Sequence, residues 1–333
     1  MYSHYIHRPL LVGALVVALL VLACTGLVIG PVHLPFGVAF GALLEPGSPE
    51  GLIVADIRLP RILLSAMVGA TLGLAGAALQ GLLRNPLAEP GIIGTSGFAA
   101  LGAVITLYFG IANVWFWSQP LAGVLGAIAG ILLLLAIAGR IASVLTLILT
   151  GVALSSLAGA CVALALNLSP NPFAALEIAF WLLGSFEDRS MLHLALAIVP
   201  MVLSWLILLR CGRVLDALTL GEDVARTLGF GLDRARLEVV AGVGLGVGAA
   251  VAVSGVIGFV GLVTPHLLRP FVGHQSSALL LPSAIGGACL LLAADNLVRV
   301  LPTSSELKVG VVTALIGVPF FIMLVIRARR HLI

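Results

Sequence analysis

The chain has 333 residues, of which 61% are hydrophobic and only 9% are charged. Soluble domains carry about 25% charged residues, so this composition excludes a soluble globular protein, whose surface so few charges could not cover. The long apolar runs lack the period-two alternation of a transmembrane β-barrel and predict an all-α polytopic membrane protein. The net charge of +3 does not indicate nucleic acid as a partner, because the arginines lie at the ends of apolar segments.

Ten apolar segments follow one another along the chain, and one bilayer crossing uses about 20 residues. A shorter stretch, 172–184, predicts a re-entrant or interfacial helix. The whole of 1–333 then forms a single transmembrane domain. The ten predicted spans lie near 9–30, 60–83, 90–109, 114–139, 142–166, 190–210, 234–255, 257–272, 277–298 and 308–327.

The first segment has two interpretations, a cleaved lipoprotein signal and a spanning helix. Leu22-Ala23-Cys24 resembles a lipoprotein cleavage box. However, the apolar run continues to Gly30, which is long for a signal peptide and favours a spanning helix. The four cysteines form no CxxC pair and predict no disulfide framework.

The distribution of basic residues predicts the orientation. With the N terminus in the cytoplasm, twelve of the 17 basic residues face the cytoplasm, as the positive-inside rule requires, and both termini are cytoplasmic. The five outer ones are Arg58, Arg61, Arg189, Arg299 and Lys308.

The longest polar interruption, 211–236, is the main cytoplasmic loop, and within it Ala217–Phe230 predicts one short amphipathic helix. One alternative is a helix lying on lipid headgroups. Such helices are normally basic, whereas here two acids offset one arginine, so a protein partner is favoured. Its apolar face consists of Leu218, Val224, Ala225 and Leu228, and its charges are Glu222, Asp223 and Arg226.

Glycine is abundant in the apolar segments. Gly69, Gly73 and Gly76 share one side of the second segment, which predicts close helix packing in the membrane. The stretches 68–86 and 243–261 resemble each other weakly, and a proline-broken segment follows each. Many transporters are built from such repeats.

The sequence contains no Walker A, HExxH or GxSxG motif and no Cys/His cluster with ligand spacing. It therefore predicts a protein that is not an enzyme and binds no cofactor or metal. Asp295 is the clear intramembrane acid, where a proton relay needs a chain of them. Glu89, in the first turn of a helix before Pro90, and His266, at a helix break, are predicted to be structural.

Four stretches resemble the FecCD permeases, the membrane subunits of type II ABC importers for iron–siderophores, heme and cobalamin. The resemblance covers nearly the whole chain. The stretches are RLPRILLSAMVGATLGLAGAALQGLLRNPLAEPGIIGTSGFAALGA (58–103), LGEDVARTLG (220–229), GFVGLVTPHLLRPFVG (258–273) and ELKVGVVTALIGVPFFI (306–322).

This resemblance implies ten helices per subunit in a homodimer of the bacterial inner membrane, surrounded by lipid. Two ATPase subunits, which use the ATP, would dock on the cytoplasmic helix, and a periplasmic binding protein would dock outside. The implied coupling residues are Leu220, Gly221, Glu222, Ala225, Arg226, Leu228 and Gly229. The implied docking residues are Arg58, Arg61 and Arg299, whose simpler interpretation is solvation at helix ends, and the implied gate or pathway residues are Ser143, Thr146, Phe173 and Glu177.

The cargo is a finer question. The stretch 168–190, with its WLLGS…DRS pattern, resembles the heme-importing members, and ferric siderophores and cobalamin are the alternatives. A proton-coupled secondary transporter is the rival from another class, and it would need embedded acids or bases beyond Asp295. A membrane enzyme is disfavoured because no catalytic cluster is present.

Overall fold

The computed structural model describes residues 8–45, 47–139, 143–273, 275–302 and 306–330, without the side chains of 325 and 327–330. Arg140 and the side chains of Arg327, Arg329 and Arg330, predicted to be cytoplasmic, lie outside the described residues. The described chain is all-helical and contains no strand. Its helices are α1 (Arg8–Val28), α2 (Phe36–Gly41), α3 (Pro49–Leu52), α4 (Leu59–Leu83), α5 (Thr95–Tyr108), α6 (Ile111–Val114), α7 (Ser118–Ala138), α8 (Val144–Asn167), α9 (Pro172–Leu182), α10 (Met191–Arg210), α11 (Gly212–Thr219), α12 (Glu222–Thr227), α13 (Leu232–Ser254), α14 (Val260–Val272), α15 (Ser276–Val300) and α16 (Val309–Arg330).

Each of the ten predicted spans contains one apolar helix, and the short stretch 172–184 contains α9. Seven helices in the described residues are long and apolar enough to cross a membrane, among them the continuous helix Pro49–Leu83 that joins α3, a π-helical turn (Ile53–Arg58) and α4. The helices α5 and α14 have 14 and 13 residues, about 20 Å each at 1.5 Å per residue, which is shorter than a bilayer core of about 30 Å. Both follow a break after a long helix, as the repeat hypothesis anticipates.

The centre of the subunit is formed by α4 and α13. Of the 18 most apolar consecutive residues in each of these helices, 78% are buried, whereas the corresponding share is 17–28% for α1, α7, α8 and α10. A Cβ atom on Gly69 would lie 2.3 Å from the carbonyl oxygen of Gly287, and one on Gly73 would lie 2.1 Å from that of Ser283. The prediction that these glycines serve helix packing is therefore confirmed, and α4 and α15 touch backbone to backbone.

The first helix runs without interruption through Cys24, as expected of a spanning helix. It is fastened to α15, because Asn296 Nδ2 donates to the carbonyl of Leu22 at 2.9 Å and Cys289 Sγ donates to that of Leu15 at 3.4 Å. The segment is thus an integral part of the helix bundle.

The single amphipathic helix predicted over Ala217–Phe230 is wrong. The loop forms two helices, α11 and α12, because Gly221 between them adopts φ +110°, which only glycine accepts without strain. The first helix also begins earlier than predicted, at Gly212, since Leu215 and Leu218 are buried against the spanning helices. Most of the exposed loop residues therefore lie in 219–231, with Arg213, Asp233 and Arg234 exposed on either side.

Candidate functional site

Apolar side chains project from the loop 211–236, which the sequence predicts to be cytoplasmic. Leu220, Val224 and Leu228 are 65%, 44% and 58% exposed. We call these three residues the coupling face. Isolated exposed leucines are common on protein surfaces, but a cluster rimmed by charged residues marks an interaction site. This is the surface on which a partner can act.

The other predicted coupling residues hold this face in place. Arg236 of α13 donates to Glu222 at 2.7 Å, and Arg226 lies 3.8 Å from the same carboxylate. Ala225 has no exposed surface and packs under the loop. The glycines Gly221 and Gly229, both at positive φ, bracket α12. The predicted set therefore contains exposed residues and residues that support them.

Sequence reasoning missed Asp216, which lies on α11 just before the predicted helix. Its Oδ1 accepts the backbone N–H of Ser277 at 2.8 Å, and its Oδ2 accepts the hydroxyl of Ser277 at 2.5 Å. The contact joins the loop 211–236 to the first turn of α15. The available signal was an acid placed between the apolar positions Val214, Leu215, Ala217 and Leu218, which the structure buries.

At the outer end, Arg61 is buried between two carboxylates. Its Nε and one Nη lie 2.9 and 2.8 Å from Asp295, whose surface is fully buried, and its guanidinium also pairs with Glu306. Arg61 itself is only 7% exposed. Solvation at a helix end is therefore not what this arginine does, and the intramembrane acid has its charge partner.

The other two predicted docking arginines, Arg58 and Arg299, cap α1. Arg58 is 2% exposed and donates to the carbonyls of Leu27 and Val32, while Arg299 donates to the carbonyls of Gly26 (2.9 Å) and Ile29. The last carbonyls of a helix have no partner within it and attract cations. Both arginines thus stabilise the outer end of α1.

The three arginines share a cavity of about 500 Å³. Arg189 joins them there, and burial lowers the pKa of its guanidinium against the opposing effect of Asp188. We call this the outer cavity. It is lined by Pro31, Val32, Ile53, Asp56, Ile57, Arg58, Arg61, Phe186, Glu187, Asp188, Arg189, Ser190, Arg299 and Glu306.

The predicted pathway residues occupy exposed positions. Phe173 and Glu177 lie one turn apart on α9, and Phe173 is 81% exposed. Ser143 lies at the start of the fifth predicted span and is the N-cap of α8. Its Oγ accepts the N–H of Thr146 at 3.1 Å and lies 2.9 Å from the hydroxyl of Thr146. The pair is thus part of the helix start.

Among the described residues no group of three or more His, Cys, Asp or Glu side chains is arranged to hold a metal ion. His266 lies inside the continuous helix α14 and not at a helix break as predicted, because Pro265 before it does not interrupt α14. Its ring packs edge-on against Phe320 of α16 at 5.6 Å between ring centroids. It is therefore a partly buried residue of the contact between α14 and α16.

The chain is similar to a known protein family and to two transport permeases. The model of the FecCD transport family matches residues 18–327. The chain is 44% identical over 283 residues to the vitamin B12 import system permease protein BtuC of Vibrio cholerae, covering 84% of each chain. It is 36% identical over 327 residues to the hemin transport system permease protein HmuU of Yersinia pestis, covering 97% of each.

A solved structure gives the same result for the fold. It shows an inward-facing conformation of a metal-chelate type ABC transporter, with a TM-score of 0.84 and 34% identity over 96% of this chain and 99% of that one. These relatives are translocation subunits and not enzymes, and they are integral to the inner membrane. The chain therefore belongs to the FecCD transport family.

Proposed function

We propose that this chain is the permease subunit of a binding-protein-dependent ABC importer that carries an iron chelate, with heme as the first candidate, into the cytoplasm. The observation that carries the proposal is the coupling face, Leu220, Val224 and Leu228, exposed on the cytoplasmic loop. A chain without a nucleotide-binding motif needs a separate motor, and this face is where the motor would act.

The partner at the coupling face is an ATPase subunit that binds and hydrolyses ATP. Lipid is a poorer partner, because headgroup-seeking helices are basic and α12 carries Glu222 and Asp223 against Arg226. One ATPase would dock on each of two permease copies. Binding of ATP would move α12, and that motion would reach the spanning helices.

The proposed partner at the outer cavity is a periplasmic binding protein. Arg58, Arg61 and Arg299 remain the proposed docking residues, and their burial adds a requirement. An acidic side chain of the binding protein must enter the cavity to reach a guanidinium. Complementary charge would then orient the docked complex.

A second copy of the chain would complete the pathway. The helices α8 and α16 expose large apolar side chains, among them Leu145, Leu149, Leu315 and Ile316, which require lipid or another subunit. In the proposed homodimer these helices line the pathway, Phe173 and Glu177 lie at its outer entrance and Ser143 and Thr146 at its cytoplasmic gate. With the basic residues mainly inside, both termini are cytoplasmic.

The cargo proposal weighs two relatives. The hemin permease matches along 97% of both chains, including the 168–190 region. The cobalamin permease is more identical, at 44%, over a shorter stretch. Heme is therefore the first candidate, cobalamin the second, and a ferric siderophore the third.

The test is reconstitution in liposomes with the ATPase subunit and the periplasmic binding protein of the importer. We expect ATP-dependent uptake of heme only when all three components are present, and ATPase stimulation by the heme-loaded binding protein. Stimulation by cyanocobalamin or ferrichrome instead would reassign the cargo. Uptake of any of them by this chain alone would contradict the proposal.

The proton-coupled alternative has less support. Asp295, its one candidate relay group, is held by Arg61. A relay group must exchange its proton with solvent, whereas this carboxylate is fully buried. Loss of uptake in Asp295→Asn with the coupled ATPase activity intact would favour the rival.

A further inference from the structure

We infer that Asp216 is a coupling residue: its carboxylate connects the cytoplasmic loop to α15, and through α15 to Arg61 at the outer cavity. This inference rests on the proposed function, because it concerns how motion at the coupling face reaches the opposite side of the membrane. It adds a residue outside the set that the family resemblance implies.

The contact is a helix cap supplied by another helix. The first turn of any helix leaves N–H groups unpaired and favours negative charge. The N-cap residue of α15, Gln275, makes no side-chain cap. Asp216 supplies the missing acceptor, since its two oxygens bind the N–H and the hydroxyl of Ser277 at 2.8 and 2.5 Å.

The joint around this contact is tightly packed. A Cβ atom on Gly212 would lie 3.0 Å from Cβ of Ser277, and one on Gly81, at the end of α4, would lie 3.2 Å from Oγ of Ser276. Leu215 is fully buried beside them. Because the three helices meet at this distance, α11 moves together with the cytoplasmic ends of α4 and α15.

The joint is also close to the coupling face. The helix α11 ends at Thr219 and Leu220 follows it, with its N–H bonded to the carbonyl of Ala217. Only Leu220 and Gly221 separate α11 from α12. A displacement of Leu220 therefore reaches Asp216 through one turn of helix.

The helix α15 extends the connection across the membrane. Asp295 lies 18 residues beyond Ser277, about 27 Å at 1.5 Å per residue. Pro282 removes one N–H from the helix, but the backbone contact of Gly287 with Gly69 supports α15 along α4. At the far end of these two helices, Asp295 of α15 forms the salt bridge with Arg61 of α4.

A purely structural cap and a coupling contact differ in what they change. Removing a structural cap lowers the melting temperature but leaves each assembled complex as responsive as before. Removing a coupling contact lowers the stimulation of ATPase activity by the loaded binding protein. Coupling between two sites typically amounts to about 5- to 150-fold.

The experiment compares Asp216→Ala, Asp216→Asn and Ser277→Ala in the full complex in liposomes, with Glu45→Ala as the control. Glu45 is an exposed carboxylate in the connection between α2 and α3. The readouts are the ratio of ATPase activity with and without loaded binding protein, the uptake per ATP hydrolysed, and the melting temperature of the purified complex.

We expect Asp216→Ala to lower the stimulation ratio by about fivefold or more. The double variant Asp216→Ala with Ser277→Ala should lower the ratio no further than Asp216→Ala alone, because both changes remove the same contact. Asn keeps an acceptor for the N–H of Ser277, so Asp216→Asn should recover part of the ratio. If Asp216→Ala does not assemble, Asp216→Asn and Ser277→Ala decide, through reduced uptake per ATP.

Unchanged stimulation and uptake in these variants, with only the melting temperature lowered, would overturn the inference. The outcome is distinct from failure of the proposed function. In that case the wild-type complex itself would show no ATP-dependent uptake and no stimulation.

Discussion

The carboxylate of Glu89 accepts the backbone N–H of Phe259 at 2.7 Å, although the two residues are 170 positions apart. Phe259 is the N-cap of α14 and adopts φ +67°, an unusual conformation for a residue with a side chain. This conformation places its ring against α16, where a Cβ on Gly317 would lie 2.2 Å from Cγ of Phe259. The acid therefore caps α14, and not the turn that directly follows it as the sequence suggested.

This contact joins two motifs that are far apart in the sequence, 58–103 and 258–273. Arg269 donates to Gln80 at 2.7 Å, and Gly261 packs on Pro90. The stretch after α4 and the stretch around α14 are thus two sides of one interface. Because α14 is short and begins inside the protein, its free N–H groups need this partner.

Replacing Glu89 tests the cap. We expect Glu89→Ala to cost about 0.5–2 kcal/mol of stability, the usual effect of losing a helix cap. Glu89→Gln should cost less, because its amide oxygen still accepts the N–H of Phe259. The measurement is thermal unfolding of the purified permease in detergent. Equal melting temperatures for Glu89→Ala and the wild type would show that the cap is dispensable.

The buried ion pair at the outer end gives a second prediction. Arg61→Ala leaves the carboxylate of Asp295 buried without its partner, a change that typically costs about 3–5 kcal/mol. We expect a large loss of folded protein, measured by monodispersity and melting temperature. The control is Arg226→Ala, which removes a half-exposed arginine from ion pairs of 3.8 Å, for which about 0–1 kcal/mol is expected.

Restoring neutrality should recover stability. In the triple variant Arg61→Met, Asp295→Leu and Glu306→Gln no member of this ion-pair cluster remains charged, and such replacements are often neutral or stabilising. Melting temperature again decides. Transport by this folded variant then shows whether the guanidinium of Arg61 is needed for docking or only for folding.

Helix packing through glycine gives a third prediction. Gly69→Ala places a methyl group 2.3 Å from the carbonyl oxygen of Gly287 and forces α4 and α15 apart. Overpacking of this kind costs about 1–3 kcal/mol. Gly159→Ala, at a position with no neighbour within 4 Å of the added carbon, is the matched control and should behave as wild type in the same unfolding assay.

The coupling face gives a fourth prediction. Leu228→Ser removes exposed apolar surface from the cytoplasmic loop and should weaken co-purification of the ATPase subunit without lowering the melting temperature of the permease alone. Leu44→Ser is the matched control, because Leu44 is 85% exposed and lies between α2 and α3. Equal recovery of the ATPase with both variants would count against the coupling face.

A fifth prediction concerns Cys211, which follows α10 at the start of the loop 211–236. Burial raises the pKa of its thiol to about 11, and the neighbouring Glu238 adds to the shift. Since the thiolate is the reactive form, only about a thousandth is ionised at pH 8, and alkylation should accelerate as pH rises towards 11. Glu238→Gln should lower the pKa and speed alkylation at pH 8, measured by mass spectrometry.

Composition and periodicity predicted the membrane class, the helical fold and the approximate position of each long apolar helix, because a spanning segment must satisfy its own backbone and be apolar over about 20 residues. The motif resemblance indicated the family, because family motifs are local stretches that can be recognised without the fold. Gly69 and Gly73 were recognisable as packing residues from their spacing alone.

The tertiary structure alone decided which partners the polar residues have. Asp295 and Arg61 are 234 residues apart, Asp216 and Ser277 are 61 apart, and Glu89 and Phe259 are 170 apart, so no local pattern indicates these pairs. The three predicted docking arginines look alike in sequence, yet one pairs with carboxylates and two cap a helix. A buried charge takes whatever partner the packed helices bring within about 3 Å, and only the assembled fold specifies that partner.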